Sequence, residues 1–163
     1  MSRKINFQNN IFMNPNPNKV SNNLILELHV PDFQIVRDFY SLFGFTELWY
    51  DPTSGGGSDL GYLTIKREDE IGTTQLNFYG DKDKVAQHAH FKDFPVDTPR
   101  GYEVEITIPV SDVQGLWEKV KGNLSEKQIS QPLTLKRWNK RDFRVVDPFG
   151  FYLRFTELVD WGQ

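Results

Sequence analysis

Cysteine is absent, so neither disulfides nor thiolate metal ligands can contribute to this fold or its chemistry. Positive charge is not in excess. Nineteen Lys and Arg stand against 22 Asp and Glu, a net charge of −3, which leaves nothing to neutralise phosphates and argues against a nucleic-acid partner. No apolar run approaches the roughly 18 residues that a membrane span requires, so no membrane partner is expected. Residues 1–23 lack the apolar centre of a secretory signal, and cytoplasmic residence is the default expectation. Gly55-Gly-Gly57 has no Lys-Ser/Thr behind it and no helix following, as a phosphate loop would need. No Gly-x-Ser-x-Gly elbow is present, and with no Cys, nucleophilic triads of either kind find no support. Histidine is scarce. His88 and His90 sit two apart in a polar connector with no third ligand in view, and they read as surface residues.

What the chain does have is aromatic material for a core: 13 Phe, and 38% hydrophobic residues overall. Asn14-Pro-Asn-Pro-Asn18 can hold neither a helix nor a central strand, so residues 1–23 read as an extended arm, with Ile11, Phe12 and Met13 as a possible anchor on a partner subunit. Residues 24–30 alternate strictly, with Leu24, Leu26, Leu28 and Val30 on one face and Ile25, Glu27 and His29 on the other: a half-buried strand. Asp32 is placed to cap a helix whose stripe is Phe33, Val36, Phe39, Tyr40 and Phe43 and whose stop is Gly44. Strands over 45–50, 61–66 and 74–79 follow, the last two joined by a charged turn at 67–72.

The pattern then recurs. Residues 103–110 form a strand with Val104, Ile106, Ile108 and Val110 inward. Ser111 or Asp112 caps a helix through Val113, Leu116, Trp117 and Val120, stopped at Gly122. Short strands are expected at 129–130 and 134–138, then a pair at 142–146 and 151–157 about the turn Asp147-Pro-Phe-Gly150. Asp112 lies 80 residues after Asp32, and Leu28/Ile108, Val30/Val110 and Val36/Leu116 keep that offset. A strand-helix unit repeated once implies two modules about a pseudo-twofold.

Two β-α-β-β-β modules, Phe39-Tyr40 leading into Phe43-Gly44-Phe45, and the closing Asp147-Pro-Phe-Gly150 strand pair resemble the vicinal oxygen chelate superfamily, which includes glyoxalase I, extradiol dioxygenases and the bleomycin-resistance proteins. The resemblance covers residues 24–157. It implies an α+β fold in which two tandem βαβββ modules, residues 24–80 and 103–157, form a curved mixed β-sheet cup (the glyoxalase/bleomycin-resistance/dihydroxybiphenyl-dioxygenase fold), with 158–163 as a tail. Metal enzymes of the family carry ligands on the cup-facing strands. Here the corresponding positions are Ile25, Asn77, Glu105 and Arg154. Ile25 has no donor atom, Asn77 is a poor one, and Arg154 carries a permanent positive charge and no lone pair to give. Glu105 alone could serve, so no metal and no other cofactor is expected.

Strand parity puts Ile25, Glu27, His29, Gln75, Asn77, Tyr79, Glu103, Glu105, Thr107, Tyr152 and Arg154 on the cup face, with Trp49, Tyr62 and Trp138 at the rim. Glu105 opposite Arg154 predicts an ion pair. The candidate ligand-binding set is Glu27, His29, Trp49, Tyr62, Asn77, Tyr79, Glu105, Trp138, Tyr152 and Arg154; no catalytic residue is assigned. Aromatic plates with a few carboxylates suit a cationic, aromatic small molecule. The resemblance to the bleomycin-resistance branch implies a non-catalytic, ligand-sequestering homodimer, with antibiotic resistance among its possible roles. Two alternatives stay open: a metal-dependent lyase, isomerase or dioxygenase with a displaced site on Glu27, His29 and Glu105, and an interaction or regulatory module whose cup is filled by side chains.

Overall fold

The computed structural model describes residues 24–52, 61–80, 90–95 and 98–158. The expected N-terminal arm, the Gly55–Gly57 loop, His88 and the end of the C-terminal tail lie outside them. Ten helices and strands follow in chain order: β1 (Leu26–Val30), α1 (Phe33–Leu42), β2 (Thr46–Asp51), β3 (Gly61–Asp69), β4 (Gly72–Gly80), β5 (Glu105–Pro109), α2 (Val113–Val120), β6 (Ile129–Leu135), β7 (Arg141–Val146) and β8 (Tyr152–Thr156). The two β-α-β-β-β units share one topology. The first sheet runs β1-β4-β3-β2 and the second β5-β8-β7-β6, each with a parallel first pair and antiparallel neighbours beyond it. Two mixed four-stranded sheets with a helix apiece make this an α+β fold.

The local signals explain both helices. Asp32 caps α1 by accepting from the Gln34 and Ile35 N–H groups at 2.7 and 3.1 Å. Phe33, Val36, Phe39 and Tyr40 are its buried stripe. Gly44 follows with φ +84°, the left-handed conformation that ends a helix. Asp112, rather than Ser111, caps α2, accepting from Gly115 N–H at 2.8 Å. A side chain at position 115 would collide with that cap, since a Cβ there would lie 2.1 Å from the Asp112 Oδ2. The helix does not stop at Gly122 but tightens into a 3₁₀ turn over Lys121–Asn123.

Several boundaries differ from the sequence reading. β1 begins at Leu26, leaving Leu24 and Ile25 exposed. β3 and β4 reach Asp69 and Gly72, so Arg67 and Glu68 are strand residues and the turn is tight. The strands expected at 129–130 and 134–138 are one irregular strand, β6, whose register against β7 slips twice. Glu103 is not in a strand at all but sits in a turn with φ +57°. Val104, expected inward, is 52% exposed.

The two units meet across one contiguous apolar core. Phe43, at the end of α1, stacks on Phe155 of β8 with centroids 4.6 Å apart, and Phe155 stacks on Phe143 of β7 at 5.1 Å. Tyr40 of α1 donates to Asp147 Oδ2 at 3.0 Å. The other carboxylate oxygen accepts from the N–H groups of Phe149 and Phe151 at 2.9 and 2.8 Å, so one buried side chain locks the β7–β8 turn and ties it to the first unit. Burial pushes the Asp147 carboxyl above its ordinary range, against the opposing pull of these donors. Burial, with the Asp147 charge beside it, raises the Tyr40 hydroxyl well above its usual value. A second tie joins Asp69 to the Ser111 N–H at 3.1 Å, with Arg67 Nη1 2.6 Å from the same carboxylate. Burial alone would raise Asp69, but the Arg67, Ile71 and Ser111 donors together outweigh it and hold the group low.

Candidate functional site

Register places nine of the ten predicted residues on two polar faces, and the tenth, Trp138, stands in a turn beside the second. On the first sheet Glu27 lies opposite Asn77, His29 opposite Tyr79, Tyr62 opposite Tyr79, and Trp49 opposite Thr64, itself the neighbour of Asn77. Glu27 Oε1 approaches His29 Nε2 to 3.3 Å, although the two residues are i and i+2 on one strand. Asn77 donates to the Tyr62 hydroxyl at 2.7 Å and accepts from Gln75 at 3.2 Å. Burial and then Glu27, as both hydrogen-bond partner and charge, push Tyr62 up to about 12, partly offset by Asn77. The rings form a run: Trp49 to Tyr62 at 5.8 Å, Tyr62 to Tyr79 at 6.3 Å, Tyr79 to His29 at 5.0 Å. Ile25, assigned to this face by parity, precedes β1 and is exposed.

The second face is built around a residue that the sequence reading missed. Asp142 of β7 is fully buried. Its Oδ1 accepts from Gln131 Nε2 at 2.7 Å and lies 3.5 Å from Lys136 Nζ and 3.8 Å from Arg144 Nε. Its Oδ2 lies 2.9 Å from Arg154 Nη2. The expected Glu105–Arg154 pair is present at 3.6 Å, but Asp142 is the closer partner, and Glu105 also meets Arg144 at 3.4 Å. Arg144 is held above its ordinary range. Burial opposes this, while the Tyr152 hydroxyl, Glu105 and Asp142 together outweigh it. Ser130 Oγ donates to the Tyr152 hydroxyl at 3.3 Å. Trp138 stands in the turn after β6, not in a strand, and its ring lies 5.6 Å from the Arg154 guanidinium carbon.

A cavity of about 650 Å³ forms a third feature. Since β1 and β5 are the outer strands of their sheets, both present an edge, and the cavity lies along those edges beneath the connector. Leu26, Leu28, Val104, Ile106 and Phe151 supply apolar wall, Phe91 and Phe94 the cover, and Glu27, His29 and Arg100 the polar groups. Phe91 packs edge-on against His29 at 4.7 Å, and His90 lies 5.0 Å from Phe91. Of the ten predicted residues only Glu27 and His29 reach this cavity. The connector has no periodic pattern, which is why its Phe residues gave no signal.

The arrangement bears directly on a metal. Asn77 lies opposite Glu27 and Arg154 opposite Thr107, and Glu27 and Thr107 are 80 residues apart, so Asn77 and Arg154 occupy equivalent places in the two sheets. A divalent ion near Glu105 would meet the Arg154 guanidinium, which already engages both carboxylates. The donor set therefore does not fit the family's metal. Among the described residues no group of three or more His, Cys, Asp or Glu could hold one.

Comparison with solved structures places the architecture. A bleomycin-binding protein complexed with bleomycin matches with TM-score 0.54 at 17% identity, over 85% of this chain and 100% of that one. TioX from Micromonospora sp. ML1 matches with TM-score 0.55 at 20% identity, over 85% and 100%. A member of the glyoxalase/bleomycin resistance protein/dioxygenase superfamily from Sphaerobacter thermophilus matches with TM-score 0.59 at 15% identity, over 85% and 98%. The chain has the vicinal oxygen chelate fold shared by the glyoxalase, bleomycin-resistance and dioxygenase proteins. No protein-family profile matches the sequence, and no curated protein does. Among the described residues no helix is long and apolar enough to cross a membrane.

Proposed function

We propose that the protein binds a small molecule without metal and without transforming it, as a homodimer, in the manner of a ligand-sequestering protein. The observation that carries this is the 650 Å³ apolar cavity with Glu27 and His29 at its wall. Its volume falls within the few hundred to about 1,000 Å³ typical of ligand sites, and an apolar lining with a few convergent polar groups is their usual make-up.

The chemistry supports binding over catalysis. Arg154 stands where related enzymes place a ligand for their cation, and Asp142 and Glu105 hold it there. Glu27 and the ring run Trp49, Tyr62, Tyr79 and His29 offer one carboxylate and several aromatic faces, the complement of a cationic aromatic ligand. The dimer is supported by how the units pack. Among the described residues the ion-pair networks of the two polar faces are each internal to one sheet, and the ties between units run through Tyr40–Asp147, Phe43–Phe155 and Asp69–Ser111. A homodimer would use these faces, each of which closes its ion pairs within its own sheet, to hold a ligand between copies.

A thermal-shift and calorimetric screen of cationic aromatic compounds tests the reading. A ligand at 100 times its Kd should add about 2.7 kcal/mol of stability, and Glu27→Gln should weaken it. A screen in which no compound stabilises the protein, or in which turnover accompanies binding, removes the proposal.

A further inference from the structure

The second face has a charge balance that a cationic ligand does not explain. Lys136, Arg144 and Arg154 converge there on only two carboxylates, Asp142 and Glu105, and both carboxylates are shared between the two arginines. One positive charge is left over. The two arginines bring ten N–H donors between them, and the Nε atoms of both are buried without a hydrogen bond. Asp142 meets this demand only in part: Gln131 and Lys136 crowd its Oδ1, and its Oδ2, 2.9 Å from Arg154 Nη2, is itself buried without a hydrogen bond. The adjacent turn adds Arg137 and Lys140, and it presents Trp138 about half exposed beside Arg154. The turn is set by backbone bonds from Lys136 N–H to Lys140 O and from Asn139 N–H to Lys136 O, at 2.8 and 2.9 Å, and the indole lies 5.6 Å from the Arg154 guanidinium carbon.

We infer that this face binds an oxyanion carried on a planar ring, with the ring against Trp138 and the anion on the guanidinium of Arg144. Arg144 is the more accessible arginine, its side chain 23% exposed against 12% for Arg154. A guanidinium fork matches a carboxylate in two parallel hydrogen bonds. Arg154, tethered to Asp142, positions the cluster and supplies the face on which Trp138 rests. The inference rests on the proposed ligand-binding reading and sharpens it. One polar face favours a cationic group and the other an anionic one, so the preferred ligand is a zwitterionic aromatic rather than a simple aromatic cation.

The test uses the full chain and three isosteric probes, 2-naphthoate, 2-naphthylmethylammonium and 2-naphthalenemethanol, titrated by calorimetry and by following the Trp138 indole N–H in NMR spectra. The inference expects 2-naphthoate to shift the Trp138 signal and to bind at least about tenfold more tightly than the neutral probe, in keeping with a charge-assisted hydrogen bond. That preference should shrink at high salt, and it should be lost in Arg144→Gln with Arg144→Lys intermediate. Trp138→Phe, a change at an exposed turn, keeps the preference while weakening the affinity. The inference is overturned if the ammonium probe perturbs Trp138 as strongly as the carboxylate does, or if Arg144→Gln leaves 2-naphthoate binding unchanged. If the ammonium probe binds in a manner sensitive to Glu27→Gln while the carboxylate does not bind, this inference alone falls. If none of the probes binds, both readings fall.

Discussion

The two β-α-β-β-β units are alike underneath and opposed on top. Both begin with an edge strand, cap their helix with an Asp 80 residues apart, and order their strands 1-4-3-2. Beneath each sheet the apolar positions agree: Leu28 with Ile108, Val30 with Val110, Val36 with Leu116, all buried. On the polar side the equivalents part company. Ile25 answers to Glu105, Glu27 to Thr107, Asn77 to Arg154. The first face is a run of rings with Glu27 beside His29, and the second an ionic network around a buried carboxylate. The repeat thus constrains what holds the fold and leaves free what meets a ligand.

The contrast breaks most sharply at Asp142. Asp142→Ala strands three cations around an empty place and should cost about 3–5 kcal/mol, as removing one partner of a buried ionic group does. Asn77→Ala, at the place in the first sheet that Arg154 holds in the second, should cost about 1 kcal/mol, the price of an ordinary hydrogen bond. Urea denaturation of the two variants measures both. Equal losses would mean that the second network has no special weight. Joint replacement of Asp142, Arg144 and Arg154 by apolar residues of similar size should recover much of the loss.

Next in size are the ties between units. Asp147→Ala leaves the Tyr40 hydroxyl and two backbone N–H groups without an acceptor and should cost about 3 kcal/mol, while Asp147→Asn keeps an acceptor and should cost under half of that. The two tying carboxylates also differ in sign. Asp69 is held low, so its contribution is full at neutral pH and is lost as pH falls through its depressed value. Asp147 is held high, so the folded chain binds its proton more tightly than the unfolded chain does, and its contribution declines as pH rises from the ordinary carboxyl range through its raised value. Stability profiles of Asp69→Asn and Asp147→Asn against wild type should therefore diverge in opposite directions between acid and neutral pH. Parallel profiles would refute the assignment.

The smallest effect concerns the two caps. Asp32→Ala and Asp112→Ala should each cost about 1 kcal/mol. Gly115→Ala should cost a similar amount despite favouring helix, because its Cβ displaces the Asp112 carboxylate. The double change Asp112→Ala with Gly115→Ala should then cost no more than Asp112→Ala alone, which thermal melts can resolve.

Much of the fold was legible because its signals are local. Asp32 and Asp112, Gly44 and Asp147-Pro-Phe-Gly150 act within a few residues, and the 80-residue offset needs no partner. The Glu105–Arg154 pair followed from parity on neighbouring strands. Asp142 escaped although its signal was there: it alternates with Phe143 on β7, in step with Arg144, and pairing to β8 sets Arg144 opposite Arg154 and Asp142 diagonal to it. Trp138 reads as strand because Lys136-Arg-Trp-Asn-Lys140 has no apolar contradiction, yet Asn139 at φ +60° marks the turn that an Asn readily accepts. The cavity was not legible. It arises where edges of two sheets distant in sequence meet a connector without periodicity, and Val104, expected inward, lines it and is exposed.

The central claim is that a guanidinium, not a metal ion, organises the second face. Calorimetric titration of chelator-treated protein with Mn²⁺, Ni²⁺ and Zn²⁺ addresses it directly, with Glu105→Gln as the control. The account predicts no saturable binding that depends on Glu105. One ion bound per chain at micromolar Kd or tighter, and lost in Glu105→Gln, would contradict it.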